Sequence, residues 1–183
     1  MGASFSAFAQ AAPERVVANA YGTINALSIA GKRSNGQPWV MFSFYGGGHG
    51  GSIQTDGLNH GNAPISTATI PPMEILEAAY PVMFRKWALR PDSAGAGAHR
   101  GGLGAVYEIE VLEENGAEAF LFGERGRFAP KGIAGGGDAA MNAFQFPPGV
   151  MSPASTSSGS AFFAPGRRIL YFPSPVITLP SSR

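Results

Sequence analysis

The 183-residue sequence contains no cysteine, which excludes disulfides and thiolate metal sites. Charge is scarce at 14% of residues, and 13 basic side chains stand against 12 acidic ones. A net charge of +1 sets up no field that steers nucleic acid or an anionic membrane surface, so neither is expected as a partner. No apolar run approaches the roughly 20 residues of a membrane-spanning helix. The opening "MGASFSAFAQAAPERV" is apolar and rich in small residues, yet its first charge is Glu14. It lacks the positive start of a secretory signal, and the cytoplasm is the expected compartment. From residue 147 onward acidic side chains vanish, leaving Arg167, Arg168 and Arg183 as the only charges.

Glycine and proline are abundant instead, at 26 and 15 residues. Glycine costs backbone entropy on folding, so this usage implies many tight turns and close approaches. The expected fold class is α+β, mostly β-strands and glycine-rich loops with one or two short helices, a fragment of a larger subunit. Phe5, Phe8 and Ala12 recur at helical spacing ahead of Pro13, which limits a first short helix. The stretch "ERVVANAYGTINALSIAG" mixes helical and extended signals and stays ambiguous. "PWVMFSFYGGG" reads as a buried strand over Trp39–Tyr45 bounded by Pro38 and Gly46. Residues 46–72 read as a long loop, a kind that is usually functional or docked on another chain. "PPMEILEAAYPVMFRKWAL" opens with proline at a helix start, places Glu74 and Glu77 early, and gathers Ile75, Leu76 and Ala79 into one stripe. Pro81 ends it, and "VMFRKWAL" continues as a strand.

In "AVYEIEVLEE", Tyr107, Ile109 and Val111 alternate with Val106, Glu108 and Glu110, the period-2 pattern of a half-buried strand. An Asn-Gly turn and "AFLFGERGRF" follow, predicting a hairpin with Glu124, Arg125 and Arg127 forming ion pairs at its end. Residues 1–146 form the expected main region, and 147–183 a divergent Ser/Pro-rich tail in which "RRILYF" supplies one edge strand. Low charge and long glycine loops together predict exposed apolar surface and a stable partner.

The stretch "RPDSAGAGAHRGGLGAV", residues 90–106, holds five glycines, three charged residues and one histidine. Two readings stand side by side. In one, Asp92, Ser93, Gly95, Gly97, Arg100, Gly101 and Gly102 build a backbone nest whose amides and guanidinium fork take a carboxylate or phosphate. In the other, the segment is a close-packed turn in which Asp92 and Arg100 pair internally. Asp92, Ser93 and His99 follow no catalytic-triad order, and "RGGLGAV" lacks the Lys-Ser/Thr ending of a phosphate loop. His49, Asp56 and His60 bracket a second stretch, "GHGGSIQTDGLNH". Two imidazoles and a carboxylate suit a divalent metal, but their spacing matches no compact helical metal motif, and Asp56-Gly57 reads first as an ordinary β-turn.

Taken in order, "WVMFSFYGGGHGGSIQTDG", "PPMEILEAAYPV", "LRPDSAGAGAHRGGLGAV" and "GERGRFAPKGIAGGG" resemble the C-terminal third of the hydantoinase B and 5-oxoprolinase family, over roughly residues 10–140. Relatives of that family include the large subunits of acetone and acetophenone carboxylases. The resemblance implies a B-type component of an ATP-dependent cyclic amide hydrolase. It implies a hydantoinase A-type partner that binds ATP and Mg, a small cyclic amide substrate opened after carbonyl phosphorylation, and a missing N-terminal portion of the B subunit. Metal ligands in the carboxylase relatives fall in that portion and are not carried over to this chain. The ending "APGRRILYFPSPVITLPSSR" departs from the family's glycine-rich finish. The alternatives are a truncated or frameshifted, non-catalytic remnant, a structural docking subunit, or a component of an ATP-dependent ketone carboxylase.

Overall fold

A computed structural model describes residues 2–22, 24–62, 69–113, 115–145, 158–163 and 168–172. The fold is mixed α+β and mostly strand. Two short helices, α1 (Gly2–Phe8) and α2 (Met73–Ala79), and a 3-10 turn at Pro13–Arg15 accompany eight strands. These are β1 (Asn25–Lys32), β2 (Pro38–Tyr45), β3 (Val82–Leu89), β4 (Ala105–Val111), β5 (Ala117–Phe122), β6 (Ala143–Gln145), β7 (Ser158–Phe163) and β8 (Arg168–Phe172). They form two four-stranded sheets, in the orders β2-β1-β5-β7 and β3-β4-β8-β6. Every pairing is antiparallel.

The two sheets share one core. Leu27 and Ile29 of β1, Met41 and Tyr45 of β2, and Leu121 of β5 meet Tyr107, Ile109 and Val111 of β4 and Phe84 of β3. The Tyr45 and Tyr107 rings meet edge-on at 4.4 Å between centroids, one ring from each sheet. Helix α2 closes one side of this core through Leu76, with Met73 and Tyr80 packed beside it. Its stripe therefore runs through positions three and four apart, and Ile75 of the expected stripe points to solvent at 61% exposure. The Glu77 carboxylate reaches back to accept the Phe84 N–H at 2.6 Å, beside the register shift between Phe84 and Lys86.

Several expectations are corrected. The predicted hairpin does not form, because β4 and β5 lie in different sheets. Both strands bury their alternating apolar row in the shared core, Tyr107, Ile109 and Val111 on one and Ala117, Ala119 and Leu121 on the other. The connection at Asn115-Gly116 therefore crosses from one layer to the other, with Gly116 at φ 72°. Strand β2 is not buried on both faces: Val40 and Phe42 are more than half exposed. "RRILYF" is no edge strand, since β8 sits between β4 and β6, with Ile169 opposite Ile109. A second strand of the Ser/Pro-rich stretch, β7, pairs with β5 in the other sheet. The rest of residues 147–183 lies outside the described residues.

Candidate functional site

Three glycine-bearing segments converge at one end of the sandwich: 48–53 after β2, 95–102 before β4, and 130–137 after β5. With Asn19 they enclose a cleft of about 330 Å³. The polar residues on its lining are Asn19, His49, Ser52, His99 and Lys131. Close backbone approach is what the glycines provide. A Cβ on Gly102 would lie 1.9 Å from the Leu58 carbonyl oxygen, and one on Gly48 would lie 1.9 Å from the Gly102 carbonyl oxygen. Around these contacts the loops are laced by hydrogen bonds. The His49 N–H donates to Leu58 O, Gly102 N–H to His49 O, Gly57 N–H to Arg100 O, and Tyr21 N–H to Gly48 O.

The stretch 90–106 divides into a structural half and an open half. The Ser93 hydroxyl donates to Arg90 O at 2.8 Å and accepts the Gly104 N–H at 2.9 Å, closing the loop onto the start of β4. Asp92 takes a left-handed conformation, φ 55°. Gly101 N–H donates to Gly95 O and Leu103 N–H to the Asn59 side chain. Those amides are spent inside the fold. The amides of Ala96, Gly97 and Ala98 border the cleft and have no hydrogen-bond partner among the described residues.

Arg100 pairs with Asp56 rather than Asp92. Its Nε stands 3.5 Å from Asp56 Oδ2, and its guanidinium donates to Asn59 Oδ1 at 3.1 Å and to Gly101 O at 2.9 Å. The Asp56 carboxylate also accepts the Arg100 backbone N–H at 3.1 Å and faces His99 Nδ1 at 3.6 Å. Asp56 is thus not capping its own turn; Ser52, whose hydroxyl accepts the Gln54 and Thr55 amides, does that. Arg100 braces the mouth of the cleft without lining it. Arg90, which the sequence did not single out, is the buried cation of this stretch at 4% exposure. Burial lowers its guanidinium to about 10.

His49, Asp56 and His60 go to three different places. The His49 ring lines the cleft, stacks near Tyr21 at 6.4 Å, and its Nε2 meets the Asn62 carbonyl. His60 leaves the cleft: its Nε2 accepts the Trp87 Nε1–H at 2.8 Å and meets the Tyr107 hydroxyl. Because an indole N–H only donates, that nitrogen carries no proton. Burial lowers the His60 pKa and raises that of the Tyr107 hydroxyl. Among the described residues no three His, Asp or Glu side chains gather as a metal-binding group. The described residues do not fit a metal centre. Arg127, expected in an ion pair, lies over the Phe128 ring at 5.6 Å. No described helix is long and apolar enough to cross a membrane.

An α+β sandwich carrying a cleft of three interleaved glycine loops is the class of structure this sequence builds. The chain belongs to the hydantoinase B/oxoprolinase family, whose model matches residues 1–171. It is 33% identical over 135 residues to caprolactamase subunit beta of Pseudomonas jessenii, which covers 70% of this chain and 23% of the relative. It is 33% identical over 98 residues to 5-oxoprolinase 1 of Arabidopsis thaliana, covering 52% and 8% respectively. A nucleotide-free acetone carboxylase structure shares the fold with a TM-score of 0.69 at 23% identity, over 90% of this chain and 26% of that one. The chain therefore spans about a quarter or less of the length of these relatives.

Proposed function

We propose that this chain supplies part of the B-type component of an ATP-dependent cyclic amide hydrolase, working with an A-type partner that binds ATP and Mg. The family match over residues 1–171 carries this reading. The cleft supports this reading: the amides of Ala96, Gly97 and Ala98 offer hydrogen-bond donors to a carboxylate or a phosphoryl oxygen, while the Lys131 ammonium at the same cleft is paired with Asp138 at 2.5 Å. A lactam carbonyl is a poor electrophile. In this reading the γ-phosphoryl group of ATP moves to the amide oxygen and ADP leaves. Water adds at the carbonyl carbon, the ring C–N bond breaks as nitrogen takes a proton, and a second water releases phosphate from the acyl phosphate. Donors aimed at the oxygen that gains negative charge lower that barrier. Asp56, Arg100 and Asn59 hold the donor loop in place.

The test is co-expression with an A-type chain and the remaining B-type portion of a family member, followed by ATP hydrolysis with 5-oxoproline or hydantoin. Expected is lactam-dependent ATP hydrolysis that falls at least tenfold in Gly97→Val, which fills the cleft. ATP hydrolysis indifferent to omitting this chain sinks the reading. Bicarbonate-dependent consumption of acetone in place of lactam opening reassigns the component to ketone carboxylation.

A further inference from the structure

The described outer rows of the two sheets differ in kind. On β3 and β4 the outward positions carry charge: Lys86 stands across from Glu108, and Arg85 pairs with Glu110 at 2.5 Å. That face is suited to water. On the other sheet the outward row of β2 is Val40, Phe42 and Phe44, and that of β5 is Glu118, Phe120 and Phe122. Between them, in register, lie Ala30, Ser28 and Ala26 of β1. Small side chains thus floor a trough walled by Phe42 and Phe44 on one side and Phe120 and Phe122 on the other, with Val40 and Glu118 flanking its Ala30 end. Val40, Phe42 and Phe122 remain 58%, 52% and 53% exposed, and the Phe42 and Phe44 rings brace each other edge-on at 5.0 Å.

We infer that this trough is the docking site for an apolar helix from the part of a family-length B-type subunit that this chain does not span. The inference rests on reading the chain as one part of such a component. Two strand spacings set the walls about 10 Å apart, which matches the 10–12 Å diameter of a helix with its side chains. The length of the relatives says where the helix comes from: the chain spans 23% of caprolactamase subunit beta and 26% of the acetone carboxylase chain. Size argues against a second copy as occupant. At about 4.8 Å per strand and 3.4 Å per residue the patch is on the order of 200–300 Å². A stable stand-alone interface buries about 800 Å² per partner. A helix that belongs to a larger body, anchored elsewhere, needs no such area at this one face.

The probe is the portion of Pseudomonas jessenii caprolactamase subunit beta outside the stretch that matches this chain, co-expressed with the chain and sized by light scattering. A 1:1 complex is expected. Phe42→Asp combined with Phe122→Asp weakens it at least a hundredfold, Val40→Lys at least tenfold, and Lys86→Glu on the opposite face by less than threefold. Half-exposed positions tolerate these changes, and near-UV circular dichroism of each free variant checks that it folds. The inference is overturned by a complex indifferent to the trough variants, by no complex at all, or by a homodimer of the chain alone that the double variant dissociates. Assembly is read without activity, so a trough-dependent complex lacking lactam-dependent ATP hydrolysis upholds the docking site and refutes only the proposed chemistry.

Discussion

Replacing Gly102 with alanine puts the packing of the glycine loops to a direct test. The added Cβ lies 1.9 Å from the Leu58 carbonyl oxygen and 2.5 Å from its carbonyl carbon. An ordinary carbon–oxygen contact needs more than 3 Å, so one backbone must retreat by over an ångström. The bonds across that contact are Gly102 N–H to His49 O at 2.8 Å, His49 N–H to Leu58 O at 3.0 Å, and Gly57 N–H to Arg100 O at 2.8 Å. Neither partner is a flexible side-chain tip that can swing away. Losing two or three such bonds at about 1 kcal/mol each, with the strain of overpacking, gives a cost of about 2–4 kcal/mol. Gly137→Ala is the control. Its Cβ would meet nothing nearer than 3.4 Å, so a change within about 0.5 kcal/mol is expected, toward stability if anything. Urea unfolding followed by the fluorescence of Trp39 and Trp87 reads both variants. A Gly102→Ala protein within about 0.5 kcal/mol of the parent refutes the claim that these glycines exist to let backbones touch.

Burial lowers the His60 pKa in the folded chain, whereas an unfolded imidazole takes up a proton below a pH of about 6.5. The unfolded state then binds more protons, so stability declines as pH falls below that value. Urea midpoints at pH 7 and pH 5 should differ less in His60→Gln than in the parent; an unchanged difference removes His60 from the account. Ile109→Ala, at a fully buried core position, should cost about 2–5 kcal/mol in the same urea titration. Glu77→Ala leaves the Phe84 N–H without its carboxylate acceptor and should cost about 1–3 kcal/mol. Glu77→Gln should recover most of that, and equal losses in both variants count against the hydrogen bond.

What the sequence makes legible is what neighbours along the chain decide. Helix α2 and strand β3 follow from a proline start, early acids and a proline stop, all within twenty residues. The inward row of β4 is equally plain, because alternation is local. Alternation says which face a residue takes but not which strand lies alongside, so β4 and β5 read as a hairpin although they belong to separate layers. The site escapes for the same reason. Asp56 and Arg100 stand 44 positions apart, and nothing near Asp56 marks it as anything but a turn former. His60 next to an Asn-rich loop looks like a ligand until Trp87 and Tyr107 arrive from two other strands. The glycine count announces tight geometry, while the partner each glycine admits is set by distant backbone.

The strand order also limits how this molecule can come apart. After β2 the chain enters the second layer, and from β4 onward each successive strand changes layer. A single nick therefore never yields two pieces that each own a whole layer, and peeling one sheet away drags segments of the other with it. Of the three loops that enclose the cleft, 48–53 and 130–137 lie on connections between layers and 95–102 joins two strands of one sheet, so the cleft ties both layers together.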